Sequence, residues 1–315
     1  MITNGGTGVH DENSSTRAFD ENSSTRAFEE HRGRLRAVAY RMLGSLAEAE
    51  DAVQETWLKY SGADVAEVRN LGGWLTTVIS RVCLNLLRSR TARREQPMDE
   101  AFVPDPVVRP LSEIDPEQEV LQADAVGLAL LVVLETLQPA ERLAFVLHDL
   151  FAVPFDEIAP VVERSTDATR QLASRARRRV RGATPSADPD LGRQRKVLDA
   201  FLAAAREGDF DALVAVLDPD IVLRADSGPL LGGAAASKVV RGARPVAEQA
   251  ITFRQFVPYG RLVLVNDGIG VANLVDGRVQ SVMGVTVAGG RITGMYILAD
   301  PERLARLDPA ALGAG

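Results

Sequence analysis

The chain changes its hydrophobic period once, near residue 183, and that change determines how many kinds of domain it holds. From Glu29 to about residue 182 apolar residues recur at helical spacing: Leu35, Val38, Ala39 and Met42 in one stretch, then Trp74, Val78, Val82 or Cys83, and Leu86 in another. Beyond Leu191, helical stretches at about 192–206 and 210–217 lead into the short runs RLVLV, GIGVANLV and VQSVMGVTV. These runs are separated by NDG, DGR and AGG, residues that accept the positive φ of hairpin turns. A helical part followed by helices and hairpins predicts a multidomain protein, all-α first and α+β last. With 315 residues, 46% of them apolar, there is material for two or three cores.

Prolines and repeats mark the boundaries. Residues 97–119 contain Pro97, Pro104, Pro106, Pro110 and Pro116, which exclude a regular helix and predict an extended linker. Seven acids stand there against Arg109 alone, a net of −6 that nearly accounts for the chain's −7. A second short linker, ATPSADPDL, covers 183–191. At the N-terminus DENSSTRAF occurs at 11–19 and again at 20–28. Two polar copies cannot bury a core, so 1–28 reads as a disordered tail. The organisation expected is a tail (1–28), a helical domain (29–96), the acidic linker (97–119), a second helical domain (120–182), a linker (183–191) and an α+β domain (192–315).

Several classes are disfavoured at this point. The longest apolar run, VGLALLVVL at 126–134, has nine residues, about half of the roughly 20 needed to cross a bilayer. No basic start followed by an apolar stretch opens the chain, which predicts a cytoplasmic protein without a membrane partner. The single cysteine, Cys83, can form neither an internal disulfide nor a multi-cysteine zinc site, and reads as a small buried apolar residue. No metal and no cofactor are expected.

Positive charge is concentrated at RSTDATRQLASRARRRVR, residues 164–181, with seven arginines and one acid. Before it, Phe155, Ile158, Ala159 and Val162 suggest a short helix, Glu163–Ser165 a turn, and Ser165 or Thr166 a cap: a helix-turn-helix outline, with Pro160 in conflict unless it lies near the helix start. Ala168, Leu172, Ala176 and Val180 would pack inward, leaving Thr166, Arg170, Gln171, Ser174, Arg177, Arg178 and Arg181 on a face suited to a major groove. A solvated amphipathic helix is the alternative reading.

AEAEDAVQETWLKY, GGWLTTVISRVCLNLLRSR and LQPAERLAFVLHDLFAVPFDEIAPVVERSTDATRQLASRARRRVRG occur in an order that resembles the two domains of an extracytoplasmic-function sigma factor, over about 29–182. The resemblance implies that the first domain docks on the clamp helices of the largest RNA polymerase subunit and opens the minus-ten element, while the second reads the minus-thirty-five element. It places Asp51, Gln54, Glu55 and Trp57 on the polymerase-docking helix and Asn70 where a flipped promoter base is captured. Arg81, Asn85, Arg88 and Arg90 fall on the helix that approaches the melted strand. Trp74 has a base-stacking or a core reading, the core one favoured by its spacing from Val78. The resemblance also implies that the acidic linker threads through polymerase channels; a simple solvated tether is the alternative.

Residues 192–315 resemble the SnoaL-like, or NTF2-like, cone fold appended to one group of these factors, a group that acts without a separate anti-sigma factor. That group's Asp-Gly-Gly motif is altered here to ADSGPLLGG, with Ser227 in place of the first glycine and glycines displaced to Gly232 and Gly233. Asp226 and Gly228 are expected at a regulatory interface with the sigma domains. The fold also hosts isomerases and cyclases, but His10, His31 and His148 all lie outside this domain, so a general base could only be a carboxylate such as Asp226. Asp226 ending a strand and capping a turn is the favoured reading. Two other functions remain: a helix-turn-helix regulator with a ligand-sensing domain, against which the EDAVQETW helix argues, and an enzyme, against which the missing histidines argue.

Overall fold

A computed structural model of the chain describes residues 11–63, 68–93, 101–111, 127–183, 187–228, 236–266 and 268–307. Two compact units are present: 1–92 with 139–173, and 93–138 with 174–315.

The first unit is helical. Its helices are α1 (Asp11–Leu43), α2 (Leu46–Ser61) and α3 (Leu71–Arg93). Ser45 caps α2, its side chain accepting from the Glu48 amide. Leu35, Val38 and Met42 of α1, Ala49 and Val53 of α2, and Leu75, Ile79 and Val82 of α3 are buried, giving each helix one apolar stripe. In α3 the fully buried positions sit one residue later than expected; Trp74, Val78 and Leu86 are only half-buried. Trp74 lies 6.2 Å from Tyr60, ring to ring, in line with its core reading.

The tail is a correction. Both nonapeptides lie inside α1 rather than in a disordered segment. At about 100° per residue a nine-residue repeat turns the helix by about 180°, so a nine-residue period does not keep one face of a helix. Phe28 is buried, its ring 5.0 Å from Trp57 and 5.9 Å from Tyr60. The second copy thus supplies a core residue.

Helix α4 (Leu128–Glu135) groups with the second unit: Leu128 closes on Gly284, where an added Cβ would come within 2.8 Å of its methyl. The first unit continues with α5 (Pro139–Phe145), extended by a π turn at Val146–Leu150, then α6 (Phe155–Val162). Arg142 is buried and its Nε donates to the Arg41 carbonyl at 3.3 Å, tying α5 to α1. Helix α7 (Thr166–Ala183) follows.

The second unit carries α8 (Leu191–Glu207), α9 (Phe210–Val216) and α10 (Ala243–Thr252) with one seven-stranded sheet. The strands are β1 (Val108–Pro110), β2 (Leu217–Asp226), β3 (Lys238–Arg241), β4 (Gly260–Val265), β5 (Gly268–Val275), β6 (Arg278–Ala288) and β7 (Arg291–Leu298). Their order is β1-β4-β5-β6-β7-β2-β3, antiparallel except for the β2–β7 pair. Register shifts at Asn273/Leu274 and Thr286/Val287 bend the sheet into a cone around Leu198, Phe201, Ile221, Val246 and Met295. Asp276–Gly277 and Gly289–Gly290 have positive φ at both positions, as tight hairpin turns require. The short helix α11 (Pro301–Leu304) closes the described chain.

Strand β1 comes from the acidic linker. Val108, Arg109 and Pro110 pair with Val265, Leu264 and Val263, so this half of the linker is extended, as expected, but it is a sheet edge and not a solvated tether. Residues 97–100 and 112–119, about half of the expected tether, lie outside the described residues, as do Gly232 and Gly233.

Candidate polymerase and promoter interface

On α2, Asp51, Gln54 and Glu55 are exposed. At about 100° per residue they fall within about 100° of one another, whereas Trp57 is turned about 120° from Asp51. Trp57 is accordingly half-buried against Phe28 and Tyr60 and belongs to the aromatic cluster more than to the outer face. Its place on the face is taken by Leu58, 63% exposed, beside the Glu55–Lys59 ion pair. The sequence reading passed over Leu58; the signal for it is its spacing of seven from Asp51.

Asn70 stands at the start of α3. Its Oδ1 accepts from the Gly73 amide at 2.9 Å while its carbonyl accepts from the Trp74 amide, a cap that fixes the helix entry. Arg81, Asn85 and Arg88 are exposed and share one face of α3. Arg90 does not join them. Nine positions from Arg81 it is about half a turn away, where it pairs with Glu48 of α2 and donates to the Leu43 carbonyl at 3.2 Å. It braces the domain.

The helix-turn-helix is built as its residues dictate. Glu163 takes φ 58°, ψ 45° and ends α6, and Ser165 caps α7, its Oγ accepting from the Ala168 amide at 3.2 Å. Pro160 sits in the last turn of α6, on the solvent side, where the bond its nitrogen cannot make belongs to a helix that stops two residues later. In α7 the buried residues are Thr169, Ala173 and Ala176, with Ala168, Leu172 and Val180 half-buried. The expected stripe was a strict four-residue repeat, which drifts about 40° per step around the helix; the buried stripe keeps the 3.6 period. Arg170, Gln171, Ser174, Arg178 and Arg181 are exposed, while Thr166 and Arg177 are half-buried. Arg170 pairs with Asp167 at 2.6 Å, and its guanidinium lies 5.9 Å from the Phe155 ring.

Residues 27–93 match the Sigma-70 region 2 family and residues 127–180 match Sigma-70 region 4. The ECF RNA polymerase sigma factor SigJ of Mycobacterium tuberculosis is 40% identical over 287 residues, 86% of this chain and 90% of the relative. The chain belongs to the extracytoplasmic-function sigma factors. The probable sigma factor SigI of the same organism is 36% identical over 90% of this chain and 96% of its own length. The crystal structure of SigJ superposes with a TM-score of 0.70 at 35% identity, covering 89% of this chain and 98% of that one. As a sigma factor the protein binds core RNA polymerase and directs promoter-specific initiation; it is a transcription factor and not an enzyme. Its C-terminal domain is an α+β cone built on the bent seven-stranded sheet.

Within the second unit of this sigma factor the linker is clamped by one arginine. Arg303 of α11 donates through Nε to Asp105 Oδ1 at 2.6 Å, through Nη1 to Asp226 Oδ2 at 2.8 Å and through Nη2 to the Val103 carbonyl at 2.6 Å. Asp226 Oδ2 also accepts from the Val103 amide at 3.2 Å. The guanidinium lies 5.2 Å from the Phe102 ring, and both carboxylate side chains are only 11% exposed. Farther along, the Asn266 side chain accepts from the Val107 amide and the Asn266 amide donates back to the Val107 carbonyl. Asp226 ends β2, and its Oδ1 caps the following turn by accepting from Gly228. Gly228 has φ 65°, and a Cβ there would fall 2.6 Å from Asp300 Oδ2, so only glycine fits beside α11. The sequence reading singled out Asp226 and Gly228 but missed Arg303 and Asp105, because an ion pair 198 residues apart leaves no local signature.

Proposed function

We propose that the C-terminal domain regulates initiation in cis by holding residues 101–111. The observation that carries this reading is the three-way grip of Arg303 on Asp105, Asp226 and the Val103 carbonyl. A peptide paired as a sheet edge has its amides and carbonyls engaged there, and Asp105 is neutralised, so the segment cannot at the same time lie against basic polymerase walls. The clamped state therefore withholds the linker, and release makes it available. Replacing Asp105 with Ala removes one partner of the clamp while Arg303 keeps Asp226. Run-off transcription with core polymerase and the full chain should then rise several-fold over the unaltered protein at equal concentration. Unchanged or lower output, with an unchanged circular-dichroism spectrum, overturns the restraint.

Core polymerase is met through Asp51, Gln54, Glu55 and Leu58 of α2, an acidic and apolar face suited to the clamp helices of the largest subunit. Promoter DNA is met through Asn70, Arg81, Asn85 and Arg88 at the minus-ten element and through α7 at the minus-thirty-five element. A domain that restrains its own chain leaves no obligatory role for a separate anti-sigma factor, and the protein works where polymerase does, in the cytoplasm.

A further inference from the structure

The cone of the C-terminal domain encloses a cavity of about 840 Å³, between α8, α10 and the turn at 254–259 on one side and the sheet on the other. Domain interiors are ordinarily packed as tightly as organic crystals, with few voids larger than a water molecule. Leu202, Phe253, Phe256, Met283 and Ile297 line this space, and each is only half-buried. Of the polar side chains on the wall, Asn273 bonds Ser281 at 2.8 Å and Lys238 bonds Gln249 at 2.6 Å. These groups stay satisfied beside an apolar guest, and the volume falls in the range that encloses a small organic molecule.

The same cavity backs onto the linker clamp. Strand β2 runs along its wall with Leu223 and Ala225 and, one residue past the strand, Ser227. Side chains alternate along a strand, so Asp226 between them faces away from the cavity, toward Arg303 and the Val103 amide. Helix α11 is divided in the same way. Pro301 and Leu304, three positions apart on one face, line the cavity, whereas Arg303 reaches out to Asp105, Asp226 and the Val103 carbonyl. Asp300 caps α11 and sits beside Gly228, and the Ala299 amide donates to the Asp226 carbonyl at 2.7 Å. Two short segments, 225–228 and 299–304, thus form one wall with the cavity on its inner side and the linker on its outer side.

We infer that the cavity takes a small, largely apolar organic molecule and that its occupancy tightens the hold on the linker. An empty cavity denies its lining side chains the dispersion contacts that a guest restores. A molecule that fits the space as it stands in the clamped structure restores them for that arrangement of Leu304 and Ala225, and a ligand that prefers one of two states shifts the balance toward it. By reciprocity the clamped chain binds the molecule more tightly than the released one. The effect on transcription rests on the restraint proposed above, whereas the coupling of cavity and clamp does not.

The test uses N-phenyl-1-naphthylamine, an uncharged apolar fluorophore, as the guest, and amide hydrogen exchange of the full chain as the readout of the linker. The fluorophore should bind one to one, and at saturation exchange within 101–111 should slow by about fivefold or more relative to α2 of the first unit. Asp105→Ala should weaken the fluorophore by a similar factor, although Asp105 is not among the described residues on the wall. Met283→Trp, which occupies the space, should abolish the binding and the slowing together. No saturable binding, binding that leaves linker exchange no slower relative to α2, equal affinity in Asp105→Ala, or binding that survives Met283→Trp overturns the inference. Should Met283→Trp fail to fold, exchange in the unaltered chain and the Asp105→Ala titration still decide it. Transcription that ignores Asp105→Ala overturns the restraint alone and leaves these outcomes in place.

Discussion

Arg88 and Arg90 stand two positions apart on α3, and the helix turns them to different tasks. Arg88 is exposed beside Arg81 and Asn85, whereas Arg90 is pinned to Glu48 and the Leu43 carbonyl. Arg88→Ala should therefore weaken promoter binding in a gel-shift titration at unchanged thermal stability. Arg90→Ala should lower the unfolding midpoint first. Cys83 makes a similar point about burial: desolvation pushes its thiol up to about 12 from 9.0, so it stays protonated in the folded protein. Iodoacetamide at pH 8 should leave it unlabelled until denaturant is added. The sign for stability follows from the raised value: its contribution is complete below pH 9 and is lost as the pH climbs toward 12, because the unfolded thiol ionises first. Gly228→Ala should cost about 1 to 3 kcal/mol in denaturant unfolding, from the left-handed φ and from the contact with Asp300.

Among the elements, α7 shows how periodicity can be right in kind and wrong in phase. The amphipathic pattern, a cap at Ser165 or Thr166 and a turn before it follow from local chemistry and were legible; the left-handed backbone of Glu163 was not. The stripe was displaced because Ala168 and Leu172 are as apolar as Ala173, so hydropathy alone does not choose between neighbouring registers, and packing does. With the outer face now set as Arg170, Gln171, Ser174, Arg178 and Arg181, Arg178→Ala should cost about 1 to 3 kcal/mol of binding to minus-thirty-five DNA if it reads a base. Titrating promoter fragments with single substitutions in that element checks it, and equal losses on every fragment would assign Arg178 to phosphate. The hairpins were legible for the opposite reason: Asp-Gly and Gly-Gly pairs accept the positive φ of tight turns, and Asp276–Gly277 and Gly289–Gly290 adopt it. Strand β1 was not, since three residues ending on a proline carry no strand pattern and acquire one only from β4.

At the scale of the whole molecule, the order of domains could be read from the chain, and the clamp on the linker could not. The proposed docking face on α2 makes the broadest prediction: Asp51→Ala with Leu58→Ser should reduce co-purification with core polymerase at unchanged helicity, and undiminished recovery would reject that face. The clamp has a different consequence, one of timing. Asp105 leaves the ribosome 198 residues before Arg303. At about 5 to 20 residues per second, roughly 10 to 40 s pass between them during synthesis. Over the last 123 of those 198 residues, from 180 to 303, both sigma regions have been made while Arg303 has not. On the proposed restraint, a nascent chain therefore carries both sigma regions before Arg303 can hold the linker.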